Sequence, residues 1–174
     1  MPRFDEHSAQ CHVLTFRDGA LSALGHDLKL AVSRFVITTS QDATRIEGTF
    51  DARSIGVVAA LRGKAEDRGA LTEDDRRSID AVVATDVLRV DQHPEIVFRS
   101  IEVSHLDSGV HVDGEVTLLG RRKRVGFVVQ RAGDFLWAEV VLYQPDFGIT
   151  PYSALLGTLK IKPHVTVRVL LPAR

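Results

Sequence analysis

Residues 110–129 read VHVDGEVTLLGRRKRVGFVV. Val110, Val112, Gly114, Val116 and Leu118 share one parity, and His111, Asp113, Glu115 and Thr117 share the other. A period of two with apolar side chains on one side is the pattern of a β-strand that faces a core on one side and water on the other. The pattern breaks at Gly120, where a turn begins, and resumes with Val125, Phe127 and Val129. The stretch is a β-hairpin, and the fold class depends on how many more such strands surround it.

Downstream, Gly133-Asp134 turns the chain into a strand over residues 135–143. There Leu136, Ala138, Val140 and Leu142 alternate with Trp137, Glu139, Val141 and Tyr143. Both faces are partly apolar, which predicts a cover on the outer side, with a helix as the candidate. A long connection follows, with a helical turn expected over residues 153–156. The last strand, residues 160–171, sets Ile161, Val165, Val167 and Val169 against Lys162, His164, Thr166 and Arg168. Pro163 falls early in it, where a missing amide donor is tolerable.

Upstream, His93-Pro94 precedes a strand over residues 95–104, and residues 45–55 place Ile46, Gly48, Phe50 and Ala52 on one face. In a longer strand over residues 28–39, Leu28, Leu30 and Val32 share a face, but Phe35 and Ile37 sit on the opposite parity. That slip near Ser33-Arg34 predicts a β-bulge. Residues 12–16 form a short first strand ended by a turn at Asp18-Gly19. The residues ahead of it are expected to fray.

One segment differs in kind. Residues 62–77, RGKAEDRGALTEDDRR, are dense in charges of both signs, and Thr72 followed by Glu73-Asp74-Asp75 is a helix start with acids in its first turn. Ile79, Val82, Val83 and Val87 follow at helical spacing. This predicts a helix from about Glu73 to Thr85, with room for another turn to Leu88, its apolar stripe packed on the sheet. Interspersed charges suit a solvated loop and helix start better than a docking surface. The total is an all-β fold: an eight-stranded antiparallel barrel with one α-helix inserted between the third and fourth strands. A barrel of that size is filled by its side chains or holds one small ligand. A two-sheet sandwich shares the periodicity and stands as the alternative.

The chain has 174 residues, enough for a single domain with a sizeable core. With 22 Lys plus Arg against 23 Asp plus Glu, no overall field directs it to nucleic acid. A single cysteine, Cys11, excludes an intramolecular disulfide and a multi-thiolate metal site, and suits a reducing compartment. The N-terminus carries charges where a secretion signal has an apolar run, and no stretch is long enough to span a bilayer, so a soluble cytoplasmic protein is expected.

Five stretches, taken in order, resemble the YceI-like family. They are Gly25-His26-Asp27-Leu28; Phe50-Asp51-Ala52-Arg53-Ser54-Ile55; Val87-Leu88 through His93-Pro94-Glu95-Ile96-Val97-Phe98-Arg99-Ser100; residues 112–120; and Asp146-Phe147-Gly148-Ile149 with the closing strand. The resemblance implies an extended lipocalin-like barrel whose apolar lumen takes polyisoprenoid and other long-chain amphiphiles, with no cofactor and no catalysis. The charged segment 62–77 and the GHDL form of the first motif resemble a cytoplasmic subgroup.

Within such a barrel the candidates for the lining are Leu30, Val32, Phe35, Ile37, Phe50, Phe98, Val116, Leu118, Phe127, Val140, Leu142 and Val167. Parity does not say which face is lumen, and the same residues would equally fill a dry core, leaving a packed interaction module. His26 and Arg99, with His164, are candidates to hold a polar head at the mouth. His26 is also the general base of the rival enzyme reading, in which Ser22 and Asp27 complete a hydrolase set. Adjacent residues of a strand point to opposite faces, which disfavours a His26–Asp27 pair, and no G-x-S-x-G, H-E-x-x-H or phosphate-binding loop is present. His7, Cys11 and His12 have the chemistry of a zinc or copper site but lack a fourth ligand. Arg121-Arg122-Lys123-Arg124 is a basic tip, read as edge protection or as a transient contact with an anionic membrane surface. The partner classes left are a lipophilic small molecule, that surface contact and a second copy of the chain as a homodimer.

Overall fold

The computed structural model describes residues 1–18, 26–154 and 159–173. In it the hairpin forms as read. β10 (Gly109–Leu118) pairs antiparallel with β11 (Arg121–Ala132), from Val110 opposite Val129 to Leu118 opposite Arg121. The connecting Leu119 and Gly120 have φ of 50° and 71°, the two positive values that a tight primed turn requires. Gly120 takes this without strain. Leu119 is held there by burial of its side chain in the core.

The remaining strands are β1 (Arg3–Asp5), β2 (Gln10–Thr15), β3 (Arg17–Asp18), β4 (Asp27–Val32), β5 (Phe35–Thr39), β6 (Ile46–Asp51), β7 (Ile55–Arg62), β8 (Ala65–Asp67), β9 (Glu95–Leu106), β12 (Phe135–Tyr143), β13 (Ser153–Ala154), β14 (Leu159–Ile161) and β15 (His164–Pro172). Twelve of the fifteen described strands make one antiparallel sheet in the order β1-β5-β6-β9-β10-β11-β12-β15-β2-β4-β7-β8, and β13-β14-β3 form a small second sheet. The expected eight strands are thus twelve. The sheet curls, but it is not a closed barrel: β1 and β8 are its two edges.

The difference has a local cause. Residues 28–39 are not one bulged strand, because β4 stops at Val32 and β5 restarts at Phe35. The partner hairpin arm breaks at the same level, where Ala52–Ser54 form a 3-10 turn capped by the Asp51 carboxylate, which accepts from the Arg53 N–H at 2.9 Å. The breaks are bonded to each other: Arg34 N–H donates to Ser54 Oγ at 3.0 Å, and Asp51 N–H donates to the Arg34 carbonyl at 3.0 Å. Both arms therefore turn one corner together. β5 and β6 lie toward β9 on one side of the bend, while β4 and β7 lie toward β2 on the other.

Other expectations need correction. The N-terminus does not fray, since β1 pairs with β5 and buries Phe4. Part of the charged segment is the edge strand β8. Ser153–Ala154 is strand where a helical turn was expected; residues 155–156 of that turn lie outside the described residues. Pro163 separates β14 from β15.

The helix α1 (Glu73–Val82) starts with a capping box: Thr72 Oγ1 accepts from the Asp75 N–H at 3.1 Å, and the Asp75 carboxylate accepts from the Thr72 N–H at 2.8 Å. It runs into a wider π-type turn at Val83–Val87. The helix docks on β7, where Asp80 Oδ1 accepts from the Val57 N–H at 2.7 Å, and it does not cover the outer face of β12. Val141 and Tyr143 stay exposed on that face.

Candidate functional site: an apolar cavity inside the curled sheet

The concave side of the sheet is not filled. Two packed clusters occupy it, one of Ala52, Leu88, Val90, Val116, Leu118, Leu119, Phe147 and Ile149, the other of Phe4, Ala9, Cys11, Val32, Phe35 and Ile37. With them lies a cavity of about 290 Å³. Its wall takes alternate residues of the strands: Cys11, Val13 and Thr15 of β2, Val165, Val167, Val169 and Leu171 of β15, and Phe127 and Val129 of β11. Alternation is why they converge, since every second side chain of a strand points to the same face.

Of the expected lining residues, Leu30, Val32, Ile37, Phe50, Phe98, Val116, Leu118, Phe127, Val140, Leu142 and Val167 face this cavity. Phe35 does not. It stands one layer back, stacked on Phe50 with ring centroids 5.9 Å apart. The break at Ser33-Arg34 explains how both parities of residues 28–39 turn inward: it resets the phase, so Val32 and Ile37 reach the same space. Phe98 and Phe127 pack with centroids 5.5 Å apart, and Phe98 lies across Gly114, where a Cβ would come within 2.5 Å of its ring.

Two groups of the wall lie off the strands, beyond the reach of strand periodicity. Val83, Val87 and Leu88 close it from the end of the helix, and Gln144, Phe147 and Ile149 from the 3-10 turn after β12. The helical spacing of Val83 and Val87 was the available signal for the first group. Nothing periodic marks the second.

His26 and Arg99 are not brought to the cavity. Arg99 follows inward-facing Phe98 and so points outward, where it is exposed. His26 is exposed, and Asp27 Oδ1 accepts from the Arg17 N–H at 2.8 Å. Ser22 lies outside the described residues. His164 is exposed on the outer side, its ring 4.8 Å from that of Tyr143. Cys11 faces the cavity while His12 faces outward, so the two cannot share a metal. Among the described residues no group of three or more His, Cys, Asp or Glu could hold one. Burial pushes the Cys11 thiol up to about 12, which keeps it protonated, and also holds it away from a second chain. Burial, and then the Lys29 charge, lower the pKa of His12. Among the described residues no charged side chain lines the cavity.

The wall has a seam. β11 is registered with β10 over residues 121–129, but its pairing with β12 covers only Gln130–Ala132. Beyond Trp137 no further pair of the two strands is registered, although they stay side by side, and the Gln144–Phe147 turn packs against β11. Arg121-Arg122-Lys123-Arg124 lies exposed at the start of β11, with Arg122 Nε 3.7 Å from Glu115.

The model of the YceI-like domain matches residues 18–173. A search of curated proteins returns no match. Among solved structures, the fold is similar to that of BcnA from Burkholderia cenocepacia, with a TM-score of 0.62 and 16% identity over 95% of this chain and 96% of that one. It is also similar to a polyisoprenoid binding domain from Saccharophagus degradans, with a TM-score of 0.58 and 12% identity over 95% and 94% of the two chains. For a YCEI protein of Campylobacter jejuni the TM-score is 0.50, with 11% identity over 80% of each chain. At such identities these likenesses speak for the fold, while the match of the domain model runs over most of the chain, from residue 18 onward, with β1 and β2 ahead of it. The chain belongs to the YceI-like family.

Proposed function

We propose that this protein binds a lipophilic long-chain ligand in the cavity and carries or sequesters it, with an isoprenoid chain as the leading class. The observation that carries this reading is the lining, in which strand, helix and turn residues all contribute apolar side chains to one unfilled space. Burying a hydrocarbon chain there gains about 25 cal/mol for each Å² taken from water, and it needs no cofactor. Family membership supports the reading, and the polyisoprenoid binding named for the Saccharophagus degradans relative supports the choice of ligand class. The exposed basic tip at residues 121–124 suits a transient contact with an anionic membrane surface, each base adding about 1 kcal/mol there.

Native mass spectrometry of freshly purified protein, followed by solvent extraction, tests this. A stoichiometric long-chain lipid in the extract is the expected result. Protein that is always empty, and that takes up no isoprenoid quinone when offered one, would overturn it.

A further inference from the structure

The outer face of β12 carries two large side chains left in water beside the seam: Val141 is 59% exposed and Tyr143 40% exposed. Taken alone, two exposed apolar residues need no explanation. Their neighbours supply one. β11 runs antiparallel to β12, with Ala132 opposite Phe135, and the strands stay side by side, so the start of β11 comes to the end of β12 where Val141 and Tyr143 stand. A contact ties the two ends together. The Arg121 guanidinium lies against Gly148, which closes the turn that follows Tyr143; a Cβ added there would come within 2.9 Å of its Cζ.

The charges at this corner are of one kind. Gln130 stands opposite Trp137, so alternation puts Arg122 and Arg124 on the same outer face as Val141 and Tyr143, with Arg121 and Lys123 on the other face of the tip. All four are exposed. Against them stand Glu115, 3.7 Å from Arg122, and the exposed Asp146 of the turn, while Glu139 is taken by Arg168 at 2.6 Å. The corner is therefore basic and apolar at once.

We infer that this corner is a docking face for an anionic bilayer, in which the bases meet lipid headgroups while Val141 and Tyr143 enter the interface. A tyrosine suits that depth, because its ring is apolar and its hydroxyl stays wet. A soluble polyanion would use the bases and leave Val141 and Tyr143 in water. A second copy of the chain needs about 800 Å² from each partner, more than this pair of side chains offers. Docked in this way, the molecule turns its seam toward the lipid. The purpose of such a contact rests on the lipophilic-ligand reading above.

The test is co-sedimentation of the full chain with vesicles of phosphatidylcholine alone and of phosphatidylcholine with about 30% phosphatidylglycerol. Wild type is expected to bind the second kind and not the first, and to let go as NaCl rises from about 50 to about 500 mM. Lys123→Gln with Arg124→Gln should weaken binding about fivefold for each base lost. Val141→Ser with Tyr143→Ser should weaken it about three- to tenfold, at unchanged Tm because both side chains already lie in water. Leu106→Ser should change nothing, since that side chain is 55% exposed but lies at the other end of β10 from the tip. No binding to anionic vesicles, or equal binding to both kinds, would overturn the proposal. So would a loss in the base variant with none in the Val141 and Tyr143 variant, which leaves a polybasic contact alone, or an equal loss in Leu106→Ser. A dimer that the Val141 and Tyr143 variant splits, without vesicle binding, would give the face to a second copy. Each of these failures leaves the ligand reading standing, because the contents of the cavity are read separately by extraction.

Discussion

β11 has two neighbours and is held by them in different ways. Toward β10 it is registered over residues 121–129; toward β12 the ladder covers Gln130–Ala132 and then stops. Both sides place the same kind of residue in the cavity, Val116 and Leu118 from β10 and Val140 and Leu142 from β12. What differs is the replacement for the ladder. On the β12 side Phe147 and Ile149 enter an apolar cluster against which Val125 packs. Backbone bonds fix register residue by residue, whereas side-chain packing resists separation only as long as the space stays filled. One strand thus belongs to a stiff wall on one side and to a plugged seam on the other.

Removing the plug should have the largest effect. Phe147 is 2% exposed, and Phe147→Ala is expected to cost about 3–5 kcal/mol in urea or thermal unfolding. Hydrogen exchange should rise first in the amides of β11 that face β12, with the β9–β10 ladder unaffected. A loss under about 1 kcal/mol would mean that the seam is held by something other than packing.

β7 shows the same asymmetry on a smaller scale. It pairs with β4 from Ile55 to Leu61, with a register shift at Val58, but with β8 only at Ala60–Arg62, and the Val57 N–H goes to Asp80 Oδ1 of the helix instead of to a strand. Asp80→Ala leaves that amide unpaired and is expected to cost about 1.5–3 kcal/mol, with Asp80→Asn restoring most of the loss through its amide oxygen. Equal stabilities of the two variants would show that the carboxylate does not pin the helix.

Much of this wall could be read in the sequence, but not its seam. In β10, β11 and β15 one face is wet and the other dry, so parity put Val116, Phe127 and Val167 on the apolar face, and the slip between Val32 and Phe35 was visible as a change of phase. Parity says which way a side chain points and is silent on which neighbour its strand bonds. The pattern of β11 and β12 is unbroken where their ladder ends, so the seam left no trace in it. The slip was read as a bulge because a full break produces the same phase change. Thr15 keeps the parity of Cys11 and Val13, and Gln144 that of Val140 and Leu142, so their facing was legible; they were passed over because the lining was sought among apolar residues. Phe147 and Ile149 were legible only through the family resemblance.

β2 is the opposite of the seam, registered with β15 on one side and β4 on the other, and Cys11 lies within it. If the registered wall keeps water out, its thiol should report that through pH. The thiol titrates near 9.0 when unperturbed and near 12 in the fold, because burial disfavours the thiolate. Above pH 9 the unfolded chain releases this proton while the folded chain keeps it. The contribution is therefore fully present below pH 9 and is lost as pH climbs toward 12. Between pH 9 and about pH 10.5 the loss attributable to Cys11 is about 1.5 kcal/mol. In Cys11→Ala, which adds only a little space to an existing cavity, urea midpoints measured at the two pH values should converge on the slope set by the rest of the chain. Wild type should fall more steeply. Parallel slopes would mean that solvent reaches the thiol through a wall bonded on both sides, and the distinction between ladder and plug would lose its basis.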